Sequence, residues 1–205
     1  MGNPWKEVSL ADYESHMSLD SVYQLQTLNG MMKEQLSFDE AETVMILGIA
    51  GGNGLEHIDR GQYKAVYGVD INPDYLKACR ERYTALKDIW IPVCADLTDE
   101  KAQLPCADLL IANLLIEYIG YECFRKVVQK VKPKAVSCVI QINTGTSFVS
   151  ESPYIHAFDR LSRVHHQMEE DALIASMQSS GYRKTALQRV DLPNGKQFVR
   201  MDFST

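Results

Sequence analysis

The sequence contains no apolar run approaching the roughly 18 residues that suggest a membrane-spanning helix, so none is expected. It contains no run of lysine or arginine: 21 basic residues are outnumbered by 27 acidic ones, for a formal charge of −6. Affinity for a phosphate backbone needs a basic stripe, so nucleic acid is not expected as a partner. Paired cysteines are also missing. Cys79, Cys94, Cys106, Cys123 and Cys138 are odd in number, scattered, and form no C-x-x-C pair. Each lies among apolar neighbours, and free cysteine behaves as a small buried hydrophobe, so reduced core thiols are expected. The opening stretch MGNPWKEVSLADYE lacks a basic region followed by an apolar one, so no secretory leader is expected. Gly2 does not open a myristoylation signal, because Lys6 stands where Ser or Thr is required. These absences together suggest a cytoplasmic protein. Internal repeats and low-complexity segments are lacking too.

What is present is ordinary globular composition, 45% hydrophobic and 23% charged, which suggests one domain over residues 1–205. A helix is expected over 18–36: Ser18 or Asp20 can cap it, and Val22, Leu25, Leu28, Met32 and Leu36 recur at helical spacing. ETVMILGIA reads as a buried strand, and AVYGVD (65–70) as a second. INPDYLKACRERYTALKD is a helix with Asn72 as cap and Pro73 at its first position. WIPVCAD (90–96), ADLLIANLL (107–115) and KAVSCVIQI (134–142) are further strands, and YECFRKVVQKV (121–131) is a helix between the last two. A helix over EEDALIASMQSSGY is stopped by Gly181. Two final strands flank Asn194-Gly195, a strong hairpin signal. This alternation predicts βαβ units, a mostly parallel sheet with helices on both faces, and an antiparallel hairpin at one edge. Residues 143–168 show no clear periodicity, which marks a long functional loop.

The stretch VMILGIAGGNGLEHI (44–58) places four glycines directly after the first strand. In an open α/β sheet that turn lies at the carboxyl edge, where such folds bind ligands. A P-loop is excluded, because no Lys-Ser or Lys-Thr follows. The dinucleotide pattern G-x-G-x-x-G also fails: from Gly48 its positions hold Gly48, Ala50 and Asn53, and from Gly52 they hold Gly52, Gly54 and His57. A G-x-G-x-G loop fits with one replacement, Ala50, in Gly48-Ile49-Ala50-Gly51-Gly52. Asp70 ends the second strand about 20 residues further on, where a carboxylate can accept from two vicinal ribose hydroxyls. Asp96 ends the third strand, where it can accept from an exocyclic amine. Two acids at successive strand ends describe a nucleoside better than a pyrophosphate.

With these residues the sequence resembles the class I S-adenosylmethionine (SAM)-dependent methyltransferases, and looks most similar to small bacterial members of unassigned substrate. VMILGIAGGNG, VYGVDINPDYL, CADLTD, ADLLIANLLIEYIG, KPKAVSCVIQI and the final hairpin follow the family's order over residues 40–205. The resemblance implies a Rossmann-like seven-stranded sheet, SAM as cofactor, S-adenosyl-L-homocysteine (SAH) as product, and a small-molecule acceptor. It implies cofactor contacts at Gly48, Ile49, Ala50, Gly52, Asn53, Asp70, Ile71, Asp96, Leu97, Asn113 and Leu114. It also implies that residues 1–38 form a helical cap, with Tyr13, His16 and Met17 in a lid over the pocket. The chain would act as a monomer or homodimer. The family usually has an acid two residues before the first glycine, and this chain has Ile46.

Asn113 stands where amide and amino methyltransferases carry N-P-P-Y, but here the tetrapeptide is NLLI, which argues against methylation of a base or glutamine. Asn113 either touches the cofactor or caps a strand end. Tyr118, after the fourth strand, stands near the expected transfer site as a substrate contact, with Glu117 beside it as a base or a solvated residue. His165 and His166 are weak catalytic candidates beside Tyr118, as is His156, because a histidine base suits O-methylation near neutral pH. With Asp159 and Glu169 the histidines match no firm metal pattern, so no metal is expected. Two other readings stay open: a non-catalytic SAM- or nucleoside-binding protein, which Ile46 favours, and an NAD-type oxidoreductase, which the failed G-x-G-x-x-G disfavours.

Overall fold

The computed structural model describes residues 2–143, 145 and 147–205; Thr144 and Thr146 of the long loop lie outside the described residues. Its helices are α1 (Leu10–Ser18), α2 (Gln24–Gln35), α3 (Pro73–Arg82), α4 (Ile116–Val131) and α5 (Glu170–Gln178). Its strands are β1 (Thr43–Leu47), β2 (Ala65–Asp70), β3 (Trp90–Cys94), β4 (Leu109–Asn113), β5 (Ala135–Ile142), β6 (Arg183–Asp191) and β7 (Gln197–Ser204). They form one seven-stranded sheet in the order β3-β2-β1-β4-β5-β7-β6. β1 lies between β2 and β4, with Val44 paired in parallel to Val66 and Leu109. β7 runs antiparallel to both β5 and β6, closing the sheet with the hairpin expected at Asn194-Gly195. This is the Rossmann-like α/β fold expected from the alternation of elements.

Burial follows the pleat. Met45, Leu47, Val69, Leu110 and Ala112 face Phe124 and Val127 of α4 and Leu173 and Met177 of α5. Val44, Ile46, Val66, Leu109 and Ile111 face the other way, onto Met32 and Leu36 and onto Leu76 and Cys79 of α3. α3 starts as expected: Asn72 Oδ1 accepts from Asp74 N at 3.0 Å, with Pro73 at its first position. The strand order reverses between β1 and β4, so a crevice opens there at the carboxyl edge.

Several expectations are corrected. The helix expected over 18–36 is shorter, α2 alone, because Leu19–Tyr23 form a turn in which Val22 is fully buried and Tyr23 adopts φ 55°; a helix not expected, α1, precedes that turn. Tyr13, His16 and Met17 ride on α1. Between β1 and β2, Leu55–His57 form a single 3-10 turn after Gly52 and Gly54, which stand at φ 85° and 92°. α4 begins at Ile116, a turn before the expected start, and kinks at Gly120. The 143–168 stretch contains a 3-10 segment, Ile155–Arg163. Only Cys79 and Cys138 are buried; Cys94, on edge strand β3, and Cys106 are exposed, and Cys123 is intermediate.

Candidate functional site

Three backbone amides and one carboxylate shape the glycine turn. Gly48 N and Ile49 N donate to Val69 O at 2.8 and 3.2 Å, drawing the chain across the end of β2. Ala50 N donates to Asp70 Oδ2 at 3.0 Å, and Asn72 N donates to Asp70 Oδ1 at 2.9 Å. Asp70 is 8% exposed. Burial pushes its pKa up, an effect that the backbone amides offset only in part. Ordering the turn, the task expected of an acid at position 46, thus falls to Asp70, while Ile46 is a core residue. Each Asp70 oxygen accepts one backbone amide and retains further acceptor capacity.

A cavity lies above this turn. Gly48, Ala50, Asp70, Ile71, Asp96, Leu97, Asn113 and Leu114 line it from the strand ends, and Asn3, Trp5, Tyr13 and Tyr118 line it from elsewhere in the chain. Asp96 Oδ1 accepts from Thr98 N and Oγ1 at 2.9 and 2.6 Å, which fixes its carboxylate at the rim. The covering segment is tied down along its length. Asn72 Nδ2 donates to Trp5 O at 3.3 Å, and Tyr75 OH donates to Val8 O at 2.8 Å. Glu7 pairs with Arg160, and Arg82 donates to Glu14 Oε2 at 2.8 Å and to Gly51 O at 3.2 Å.

Trp5, Tyr13, Leu114 and Tyr118 also line a second chamber. His16, Met17, Gln24, Glu117, Gln141, Phe148, Phe158 and His165 complete much of its wall. Trp5 meets Tyr13 and Tyr118 edge-on, at centroid distances of 6.0 and 4.8 Å. His165 stacks on Phe148 at 4.0 Å, and burial pushes its pKa down to about 4, so its ring is neutral near pH 7. His16 is buried, with Nδ1 2.8 Å from Ser152 Oγ, and burial lowers its pKa as well. Glu117 is 3% exposed; Oε1 accepts from Gln141 N at 2.8 Å, whereas Oε2 has no protein partner. Burial pushes its pKa up to about 7.

Some sequence candidates fall elsewhere. Ile49 is buried and Asn53 bonds Leu25 O at 2.8 Å; both line a smaller recess beside the turn with Gly48, Ala50 and Asn113. Gly52 lines neither the main cavity nor the second chamber, and a Cβ there would come within 2.7 Å of Tyr83 and 2.9 Å of Leu55, so packing alone requires its small size. Asn113 reaches the cavity wall, yet its amide pairs with Gln35 through bonds of 2.9 and 2.8 Å. His166 is exposed, with its backbone N bonded to Glu117 O; His156 is exposed and paired with Asp159 at 3.3 Å. Neither lines either chamber. Among the described residues no group of three or more His, Cys, Asp or Glu can hold a metal ion, and no helix is long and apolar enough to cross a membrane. Sequence reasoning did not select Asn3, Tyr75, Gln24, Gln141, Phe148 or Phe158 as wall residues. Of the second chamber's wall the sequence had singled out Tyr13, His16, Met17, Tyr118 and His165, and Glu117 as a lone charge inside LLIEYIG.

The chain matches no protein-family model and no curated protein sequence. Many solved structures share its fold. NodS from Bradyrhizobium japonicum, an N-methyltransferase in complex with SAH, aligns over 100% of this chain and 99% of its own, with a TM-score of 0.68 at 12% identity. The 4+2 cyclase SpnF aligns over 87% of this chain and 80% of its own, with a TM-score of 0.65 at 10% identity. Magnesium protoporphyrin IX methyltransferase from Synechocystis PCC 6803, with SAM bound, covers 89% of this chain and 78% of its own, with a TM-score of 0.60 at 8% identity. At such identities the likeness is one of fold.

Proposed function

We propose that the chain is a SAM-dependent methyltransferase acting on a small-molecule acceptor. The observation that carries this reading is the cavity at the strand-order reversal, with the Gly48–Ala50 turn, Asp70 and Asp96 on one wall. Gly48 and Ala50 would hold the methionine part of SAM, Asp70 its ribose hydroxyls, and Ile71, Asp96 and Leu97 its adenine. The residues fit the group: the ribose site offers a buried carboxylate whose oxygens keep acceptor capacity beyond the amides of Ala50 and Asn72. NodS and the Synechocystis enzyme, which share the fold, hold SAH and SAM.

SAM supplies a methyl group on a sulfonium, which already leaves readily, so transfer needs chiefly in-line partners about 3 Å apart. The chain's contribution is therefore positional. Trp5, Tyr13, Leu114 and Tyr118, common to the two chambers, set the boundary across which donor and acceptor meet. The tethered covering segment excludes water, which strengthens polar contacts beneath it.

The test is calorimetry with SAH on the wild type and on Asp70→Asn. A hydrogen bond to a charged group contributes about 1.5–3 kcal/mol, so the variant should bind at least about tenfold more weakly. Unchanged affinity would overturn the ribose assignment. A second reading, a nucleoside-binding protein without methyl transfer, has one support: SpnF, named a cyclase, has this fold. Release of SAH during turnover with an acceptor panel separates the two. Ile46 no longer favours that reading, because Asp70 grips the turn in place of the missing acid.

A further inference from the structure

Glu117 is a buried carboxylate with one oxygen that the fold leaves unpaired. Oε1 accepts from Gln141 N, while Oε2 has no partner, although the side chain lines the second chamber. An unpaired buried polar atom costs about 1–3 kcal/mol, and more when charged. The neighbours do not relieve it. Gln141 directs its Nε2 to Asn143 Oδ1 and Phe148 O and receives Gln24 Nε2 on its Oε1. Lys196, the nearby buried cation, donates instead to Asn143 Oδ1 and Ser147 O and does not line the chamber. Glu117 is thus the one acidic or basic side chain, histidines aside, among the described residues lining it.

The rest of the wall points to the sign of the occupant. Trp5, Tyr13, Tyr118 and Phe148 supply π surface, which attracts cations. His165 is neutral near pH 7 and offers a lone pair, not a charge. An unpaired carboxylate in an aromatic box complements a group that is cationic and donates hydrogen bonds. A carboxylate or phosphate would meet repulsion from Glu117.

We infer that the second chamber takes the amine end of the methyl acceptor, with Glu117 as its counter-ion and proton acceptor and the aromatic residues as its box. This rests on the methyltransferase reading and assigns the acceptor's chemical class. A primary ammonium entering the chamber gives one proton to Glu117 Oε2, leaving a neutral amine and a carboxylic acid. The nitrogen lone pair then forms the N–C bond to the methyl carbon. The C–S bond breaks with its electron pair passing to sulfur, so SAH forms and the positive charge moves to the methylated nitrogen. Glu117 later returns its proton to solvent. A carboxyl whose pKa lies near the working pH suits this exchange.

The experiment is calorimetry of the wild type and Glu117→Gln with simple primary amines from methylamine to benzylamine. Each amine is paired with its alcohol isostere, with benzoate as the anionic control, and each is run with and without SAH. Glu117→Gln keeps an oxygen for Gln141 N and removes a buried charge, so it should fold at least as well as wild type, which its melting curve checks. Expected is an amine that binds wild type at least about tenfold more tightly than its alcohol, with Glu117→Gln weakened about tenfold or more and SAH affinity unchanged. An alcohol or benzoate bound as well as the amine, an amine indifferent to Glu117→Gln, or no amine binding beside normal SAH binding would overturn the inference while leaving the methyltransferase reading standing. Amine binding lost in Glu117→Gln, with no SAH binding in either protein, would sustain the chamber's assignment and overturn methyl transfer.

Discussion

Glu117 places a carboxylate where water does not reach it, and the consequence for stability has a definite sign. Its folded-state pKa, pushed up to about 7, stands above the ordinary value of 4.5. Between those values the folded protein holds a proton that the unfolded chain has released, so stability falls as pH rises through the window. The groups whose fields couple to it do not titrate there. Burial pushes up Tyr13 on α1, Tyr118 and Tyr121 on α4, and Cys138 on β5. His165 and His16, whose pKa values burial lowers, are common to wild type and Glu117→Gln, so their titration cancels when the two are compared. Urea unfolding at pH 4.5 should therefore give nearly equal stabilities for wild type and Glu117→Gln. At pH 8 the Gln variant should be more stable by up to about 3 kcal/mol, since each tenfold change in proton affinity on folding corresponds to about 1.4 kcal/mol. A difference that does not change with pH would mean that Glu117 titrates as an ordinary carboxylate. Gly52 makes a second residue-scale case. Gly52→Val drives a Cβ toward Tyr83 and Leu55 at positive φ, so it should destabilise the fold by more than about 1 kcal/mol, seen as a lower denaturation midpoint. Loss of cofactor binding with an unchanged midpoint would return Gly52 to the cofactor site.

The N-terminal elements divide by what they touch. α2 belongs to the core, with Leu28, Met31 and Met32 buried against the sheet. The stretch from Asn3 to Ser18 instead covers the chambers and is held at separate points by Asn72, Tyr75, Arg82 and Arg160. Ordering free backbone costs about 1–2 kcal/mol per residue, so these ties keep much of that cost out of ligand binding. Arg82 couples two parts of the site, bonding Glu14 of α1 and Gly51 O of the turn. Its side chain is 45% exposed, and exposed ion pairs contribute at most about 1 kcal/mol. Arg82→Ala should therefore leave overall stability within about 1 kcal/mol, yet speed hydrogen exchange of the α1 amides. SAH should raise protection across residues 3–18 in the wild type. Protection there that ignores both the substitution and SAH would make the segment a permanent roof rather than a lid.

Across the molecule, the legible features were those written in neighbouring residues. Buried strands are short apolar runs, Asn72-Pro73 announces α3, and Asn194-Gly195 announces the hairpin. The glycine turn and Asp70 were readable because strand ends converge wherever a parallel sheet forms. The second chamber was readable only in part: Tyr13, His16, Met17, Glu117, Tyr118 and His165 could be named singly, but their meeting could not, because distant segments build it. His16 meets Ser152 across 136 residues, and Glu7 meets Arg160 across 153. No periodicity records such pairings, and a burial like that of Glu117 exists only once they are made. The same assembly decides which ligand stabilises the whole chain. A ligand that binds only the folded state adds about 2.7 kcal/mol at a concentration a hundred times its Kd. For a chain of 205 residues that corresponds to a rise in Tm of roughly 5–10 °C. SAH should produce this rise and NAD should not, since the turn lacks the glycines of G-x-G-x-x-G, and Asp70 and Asp96 would face a pyrophosphate's charge unfavourably. Asp70→Asn should diminish the SAH effect at equal ligand concentration while Glu117→Gln preserves it, since Asp70 lines the main cavity and Glu117 only the second chamber. An equal rise from NAD, or an SAH effect lost in Glu117→Gln and kept in Asp70→Asn, would reverse the assignment of the two chambers.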